Sequence, residues 1–301
     1  MFHFSIVTVL LTTCWLAQYM EAKKERIDPY AENELWDSMK DNKTQIEIPK
    51  LNEEGDINSP PTDGTPYLKV VCISDTHEQL HNVTVPDGDV LIHAGDFTNN
   101  GKRAELIKFN EEMTRFPHKY KLVVAGNHEL GFDHDENQSD RQDADKGLGT
   151  EEGYNLLTNV TYLQDKEITV IIFAAKSIHI EGVKFFGSSY HPLRGFPFYR
   201  TRAKELAECW KAVPNDTDVL ITHTPPLGYL DQFGDERWGC RDLLSTVERI
   251  KPAYHIFGHV HERHGCLFNG DTYFINAAQC NKGNVIQTRP FVFYIPKKTS
   301  S

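Results

Sequence analysis

The sequence predicts an α/β domain. From Tyr67 onward, short apolar runs alternate with polar stretches; several of the runs end in Asp, Asn or His; and three of the polar stretches carry apolar residues at helical spacing. The runs are 68–73, 90–94, 121–125, 168–175, 183–186, 218–222, 253–257, 272–275 and 291–295, each the length of a strand. The helical stretches are 102–116, where Leu106, Ile107, Phe109, Met113 and Phe116 repeat at approximate helical spacing, and the similar segments 202–210 and 242–250. No internal repeat is visible.

At 301 residues, 39% hydrophobic and 25% charged, the chain is long enough to bury one large core, and its composition excludes disordered, collagenous and multi-span membrane classes. A formal net charge of -11 opposes nonspecific adhesion to nucleic acid or anionic lipid, and no nucleic-acid-binding surface is evident. A bound phosphate therefore needs locally supplied positive charge, and metal ions are one source. The six cysteines contain no CxxC pair and do not fix a compartment; Cys72, inside an apolar run, reads as a buried reduced thiol.

Residues 1–22 read as a signal peptide, a single membrane anchor or an apolar tail. No Lys, Arg, Asp or Glu occurs in 1–20, and 6–16 has the length of a signal core, but Ser5, Thr8, Thr12, Thr13 and Cys14 dilute it and no basic residue precedes it. Location, cytoplasmic or secretory, depends on that segment, as does any membrane contact. Glycosylation tripeptides at Asn42, Asn82, Asn137, Asn159 and Asn215 count only if the leader acts. Residues 23–66 mix charges and turn formers and read as an extended polar lead-in, 67–296 as the domain and 297–301 as a tail. Within the domain, 133–152 reads as a solvated acidic loop. In 194–202, Phe196, Phe198 and Tyr199 interleave with Arg194, Arg200 and Arg202, a mixture suited to gripping a base and a phosphate or to anchoring a surface loop.

The residues just past the apolar runs carry the chemistry. Asp75 and His77 come after the first run, Asp96 after the second, Asn127 and His128 after the third, His223 after the sixth, and His259 and His261 after the seventh. In an α/β sheet ligands bind beyond the carboxyl ends of the strands, so groups distant in sequence can converge there. The glycines of Gly95-Asp96, Gly126-Asn127 and Gly258-His259 are expected to supply sharp turns. One Asp or His at a strand end is usually a cap or a satisfied surface group. Independent capping would not choose metal-ligand types at five strand ends. Imidazole, carboxylate and carboxamide together suit Mn, Fe or Zn.

Ser74-Asp75-Thr76-His77, Gly95-Asp96, Gly126-Asn127-His128-Glu129, His223 and Gly258-His259-Val260-His261 resemble, in order, the motifs of the calcineurin-like metallophosphoesterases, over 67–296. Phe97-Thr98, Glu129-Leu130 and Pro225-Pro226-Leu227-Gly228 resemble the animal metallophosphoesterase domain-containing proteins. The resemblance implies a four-layer sandwich of two mixed β-sheets flanked by helices. It implies two divalent ions, Asp75, His77 and His261 holding the first, Asn127, His223 and His259 the second, and Asp96 bridging them. A bridging water would then be activated against a phosphate ester, with His128 as general acid. Asn127, His128 and Arg194 would contact substrate, a small phosphoester or nucleotide. Some subfamily members lack the first His of the Gly-His-x-His block, which weakens the second ion; this chain keeps His259. The competing expectation is a nucleotide-binding or scaffolding protein with little turnover, and a protein phosphatase ranks third.

Overall fold

The computed structural model describes residues 31–164 and 177–298, so the leader and the strand expected at 168–175 lie outside the described residues. The elements run α1 (Ala31–Met39), β1 (Ile46–Glu47), β2 (Tyr67–Ile73), β3 (Val90–His93), α2 (Arg103–Glu112), β4 (Tyr120–Val123), β5 (Thr161–Tyr162), β6 (Ser177–Ile180) and β7 (Val183–Ser188). They continue with α3 (Glu205–Lys211), β8 (Val219–Thr222), β9 (Gln232–Phe233), β10 (Glu236–Arg237), α4 (Arg241–Ile250), β11 (Tyr254–Phe257), β12 (Gly265–Phe268), β13 (Tyr273–Asn276) and β14 (Phe291–Pro296). Among the described residues these strands make two mixed sheets, one ordered β1, β12, β13, β11, β8, β7, β6 and the other β14, β2, β3, β4, β5, plus the β9–β10 hairpin.

Period-two alternation assigns each strand's side chains to two different cores, which is why the strands read as unbroken apolar runs. Val70 and Cys72 of β2, with Ile92 and Leu122, point between the sheets and meet Phe185, Val219, Ile221, Ile256 and Ile275 of the other. Their neighbours Val71, Ile73, Leu91 and Val123 pack under Leu106, Phe109 and Met113 on the α2 side. On the far side, Phe186, Leu220, Phe257 and Phe274 pack under α3, α4 and Trp36 of α1. Helix, sheet, sheet and helices therefore form four layers.

Parallel register aligns the carboxyl ends. Ile73 pairs with His93 and His93 with Val123 in one sheet, while Ser188 pairs with Thr222 and Ile256 with Ile221 in the other. A bridge between Ser74 and Ala278 brings the two edges together, so the loops leaving β2, β3, β4, β8 and β11 all open on one seam.

Three departures from the sequence reading lie around the layers and the loops. The lead-in expected to be extended opens with α1, whose Trp36 is buried; Leu35, Trp36 and Met39 are too few apolar residues to register as a period. The stretch 102–116 is helix only to Glu112 and then tightens into a 3₁₀ turn at Met113–Arg115. The loop 133–152 is acidic but not simply solvated: Asp133, Arg141 and Asp145 are buried, and Arg141 pairs with Glu136 at 2.5 Å while donating to the Leu148 carbonyl. The cysteines at 72, 209, 240, 266 and 280 are free thiols, Cys72 buried as expected. Among the described residues no helix is long and apolar enough to cross a membrane.

Ile92 sits fully buried between the sheets. Truncating Ile92→Ala is expected to cost about 2–5 kcal/mol and Ile92→Val about 0.5–1.5 kcal/mol in urea unfolding; equal midpoints for the two variants would show that this interface is not close-packed.

Candidate metal centre

Asp75, His77, Asp96, Asn127, His223, His259 and His261 meet at the seam between the sheets. Asp75, His77 and His261 present ligand atoms within 4.8 Å of one another, and so do Asp96, His223 and His259. Asp96 Oδ2 lies 3.9 Å from His77 Nε2 and 3.3 Å from His223 Nε2, so one oxygen faces both sets. Asn127 Oδ1 lies 3.1 Å from His223 Nε2. Asp75 Oδ1 is 3.2 Å from His261 Nε2, whose neighbour at 3.3 Å is His77 Nε2.

Donor chemistry gives this crowding a meaning. His223 Nδ1 donates to the Ala94 carbonyl at 2.9 Å, and His261 Nδ1 donates to the Asn281 carbonyl at 3.0 Å. In each neutral ring the lone pair is then on Nε2, pointed at Asn127 Oδ1 and Asp96 in one case and at His77 Nε2 in the other. Acceptors facing acceptors at such distances repel unless a proton or a cation stands between them. The residues fit a pair of cations.

The charges show which rings take up a proton in that place. Burial holds the His77 ring down at about 3 and His259 well below the usual imidazole range. The same burial acts on His223, but the Asp96 carboxylate outweighs it and lifts that ring to about 9. Burial would also raise both carboxyls, yet the His261 ring keeps Asp75 at about 2 and the His223 ring keeps Asp96 well below its usual range.

The backbone is strained where it delivers these groups. Asp75, His77, Asp96 and His259 all have left-handed φ, between 41° and 70°, which costs on the order of 1–3 kcal/mol for each side-chain-bearing residue. Neighbouring strand ends hold them: Asp75 N–H donates to the Gly95 carbonyl, His77 N–H to that of Asp96, and His259 N–H to the Asp75 carboxylate. Of the three motif glycines only Gly95 has a positive φ, so the expected turn role is corrected at the other two. What Gly126 and Gly258 supply is room: a Cβ there would lie 2.2 Å from Asp96 Oδ1 and 2.0 Å from Asp75 Oδ2.

Glu129 is a residue the sequence displayed without revealing its task. Fully buried, it accepts backbone N–H bonds from Asp96, Thr98 and Gly126 and the Thr98 hydroxyl, tying the loops after β3 and β4 together. Burial and the nearby Asp96 charge raise its carboxyl to about 7. A carboxylate placed directly after ligand-type residues was the available signal.

His128 stands beside the cluster with its ring edge-on to His77 at 4.9 Å. Its N–H donates to Asp96 Oδ1 and its Nδ1 to the Asn99 carbonyl, which leaves Nε2 for a substrate atom. Arg194 is exposed, and its guanidinium is engaged 3.1 Å from Asp140 of the 133–152 loop. From the aromatic–arginine loop it is Phe196 that approaches His128, at 6.2 Å, while Trp238 lies 5.4 Å from His259 on the other side. Asp133 staples the 133–152 and 194–202 loops together, accepting from Phe198 N–H and pairing with Arg200.

The chain matches the family described as calcineurin-like phosphoesterase over residues 68–263. It is 82% identical to a UPF0046 protein of Caenorhabditis elegans across the full length of both chains. A second UPF0046 protein of that organism is 48% identical over 238 residues, 76% of this chain and 81% of the relative. The human metallophosphoesterase domain-containing protein 1 is 40% identical over 249 residues, 78% of this chain and 73% of the relative.

Gly258→Ala is expected to weaken ion binding at least about tenfold by displacing Asp75, read as loss of Mn-dependent thermal stabilisation; Gly265→Ala, whose methyl would meet Leu230 at an ordinary 3.4 Å, should keep it. At pH 7 the His223 ring, with its pKa near 9, carries a proton that a cation must displace, so ion uptake releases protons and weakens as pH falls. Calorimetric heats that do not change between buffers of different ionisation enthalpy would contradict this.

Proposed function

The chain belongs to the calcineurin-like phosphoesterase family, and from that premise we propose that it is a metal-dependent hydrolase acting on small phosphodiesters, nucleotides being the expected class. The observation that carries this reading is the Asp96 carboxylate, one oxygen of which faces His77 on one side and His223 on the other. That arrangement serves two ions sharing a ligand better than it serves one.

Asp75, His77 and His261 would hold the first ion and Asn127, His223 and His259 the second, with Asp96 common to both. Two divalent cations of the Mn, Fe or Zn kind supply, when bound, positive charge to the phosphoryl group and acidify water. In an acidic protein this local charge is what a phosphate needs.

The protein's own groups do the rest. Asn99 fixes the His128 ring by accepting the Nδ1–H hydrogen bond, so that a proton on Nε2 passes to the departing alkoxide as the water oxygen bonds to phosphorus and the ester P–O bond breaks, the proton shed by the water passing to solvent. The products are an alcohol and a phosphomonoester. Glu129 keeps the two ligand loops in register and touches no reacting atom.

His128→Ala is expected to lower turnover of bis(p-nitrophenyl) phosphate by about 10²–10⁴-fold with Mn stoichiometry unchanged. Asp96→Ala should abolish Mn-dependent turnover while the circular-dichroism spectrum stays native. Unchanged turnover in Asp96→Ala sinks the hydrolase reading, and tight nucleotide binding by the wild type without any turnover supports a binding protein instead.

A further inference from the structure

The excursion that leaves one imidazole of the second set and packs against the other is itself held by the lead-in. It leaves His223 through Thr224, Pro225 and Pro226, runs through β9 and β10, and closes where Cys240 N–H donates to the Pro225 carbonyl at 2.9 Å. Near its end Trp238 lies against His259, with Phe233 stacked behind it at 4.4 Å. One end of this excursion is therefore joined to His223 and the other packs on His259.

Helix α1 grips the excursion at both its turn and its hairpin. Asn33 Oδ1 accepts the Arg237 N–H at 3.0 Å, and Asn33 Nδ2 donates to the Asp235 carbonyl at 2.6 Å. The Arg237 guanidinium lies 5.0 Å over the Trp36 ring and pairs at 2.5 Å with buried Asp231, which accepts the N–H groups of Gly228 and Gly239. Trp36 itself is buried edge-on to Tyr229 and so close to Gly228 that a Cβ there would stand 2.1 Å from the indole. Glu32 adds an ion pair to Arg202, whose guanidinium reaches the Gly239 carbonyl, next in chain to Trp238.

We propose that α1 is a positioning element for the second metal set, with Asn33 and Trp36 holding the β9–β10 hairpin so that Trp238 fixes the His259 ring. The proposal rests on the two-ion reading above. Its physical basis is that His259 sits in a left-handed backbone conformation at the half-buried lip of the site, where its ring orientation depends on what packs against it. The first set does not share that dependence: His261 is fixed by the Asn281 carbonyl and Asp75, and His77 is buried beside them. The hairpin does touch the turn after His261, since Arg263 donates to the Gln232 carbonyl. Selectivity between the two ions is therefore what an experiment must read.

Calorimetric titration of the metal-free full chain with Mn²⁺ tests this, with Glu34→Ala, an exposed position on the same helix, as control. The wild type and the control are expected to take two ions. In Asn33→Ala and Trp36→Ala the second should bind about 10–100-fold more weakly while the first is unchanged, and Trp36→Phe should recover most of the loss. Should Trp36→Ala fail to fold, Asn33→Ala carries the test, because it removes two hydrogen bonds without emptying the core. Two ions bound as in the wild type, or both weakened together, overturns the inference. A wild type that takes one ion overturns the two-ion reading itself, so the two failures are distinguishable.

Discussion

Everything at the seam stems from packing acceptors against acceptors out of water. Between Asp75, Asp96, Asn127 and the imidazoles at 77, 223, 259 and 261 something positive has to stand, a proton such as the one His223 holds or a cation, because burial denies these groups the water that would otherwise screen them. Hydrogen bonds from their far sides, His223 to Ala94 and His261 to Asn281, forbid the rings from turning away. A site arranged this way makes ion and proton rivals for the same space, so ion uptake is tied to proton release.

That arrangement has to be built against the grain of the backbone. The left-handed residues at 75, 77, 96 and 259 persist because parallel strands end in register and each strained N–H has a carbonyl or carboxylate from a neighbouring loop waiting for it. Glu129 plays the same part for the loops after β3 and β4, collecting four donors with one carboxylate. The sheets supply rigidity, and the interlocked loops spend it at the ligands.

How much of this was legible in the sequence depended on how local the cause was. Strands buried on both faces leave unbroken apolar runs, and groups that cap them are adjacent in sequence, so the β2, β3, β4, β8 and β11 ends and their ligand-type residues could be read directly. Helix α1 could not, because its burial rests on one indole meeting Gly228 almost two hundred positions away. Gly126 and Gly258 were recognised but for the wrong reason, since crowding by a distant carboxylate leaves no mark on composition. The Arg194–Asp140 pair and the rings that approach the site, Phe196 and Trp238, are set by loop paths no periodicity encodes.

Asp133 has a consequence for how such a protein can change. Because its carboxylate anchors Phe198 and Arg200 across two loops that flank His128, those loops are mechanically one unit. Replacing the 194–202 loop without restoring both partners leaves the buried Asp133 carboxylate without the Phe198 N–H and the Arg200 guanidinium. A change at the staple in one loop is therefore expected to need a matching change in the other, whereas side chains outward of it can vary independently.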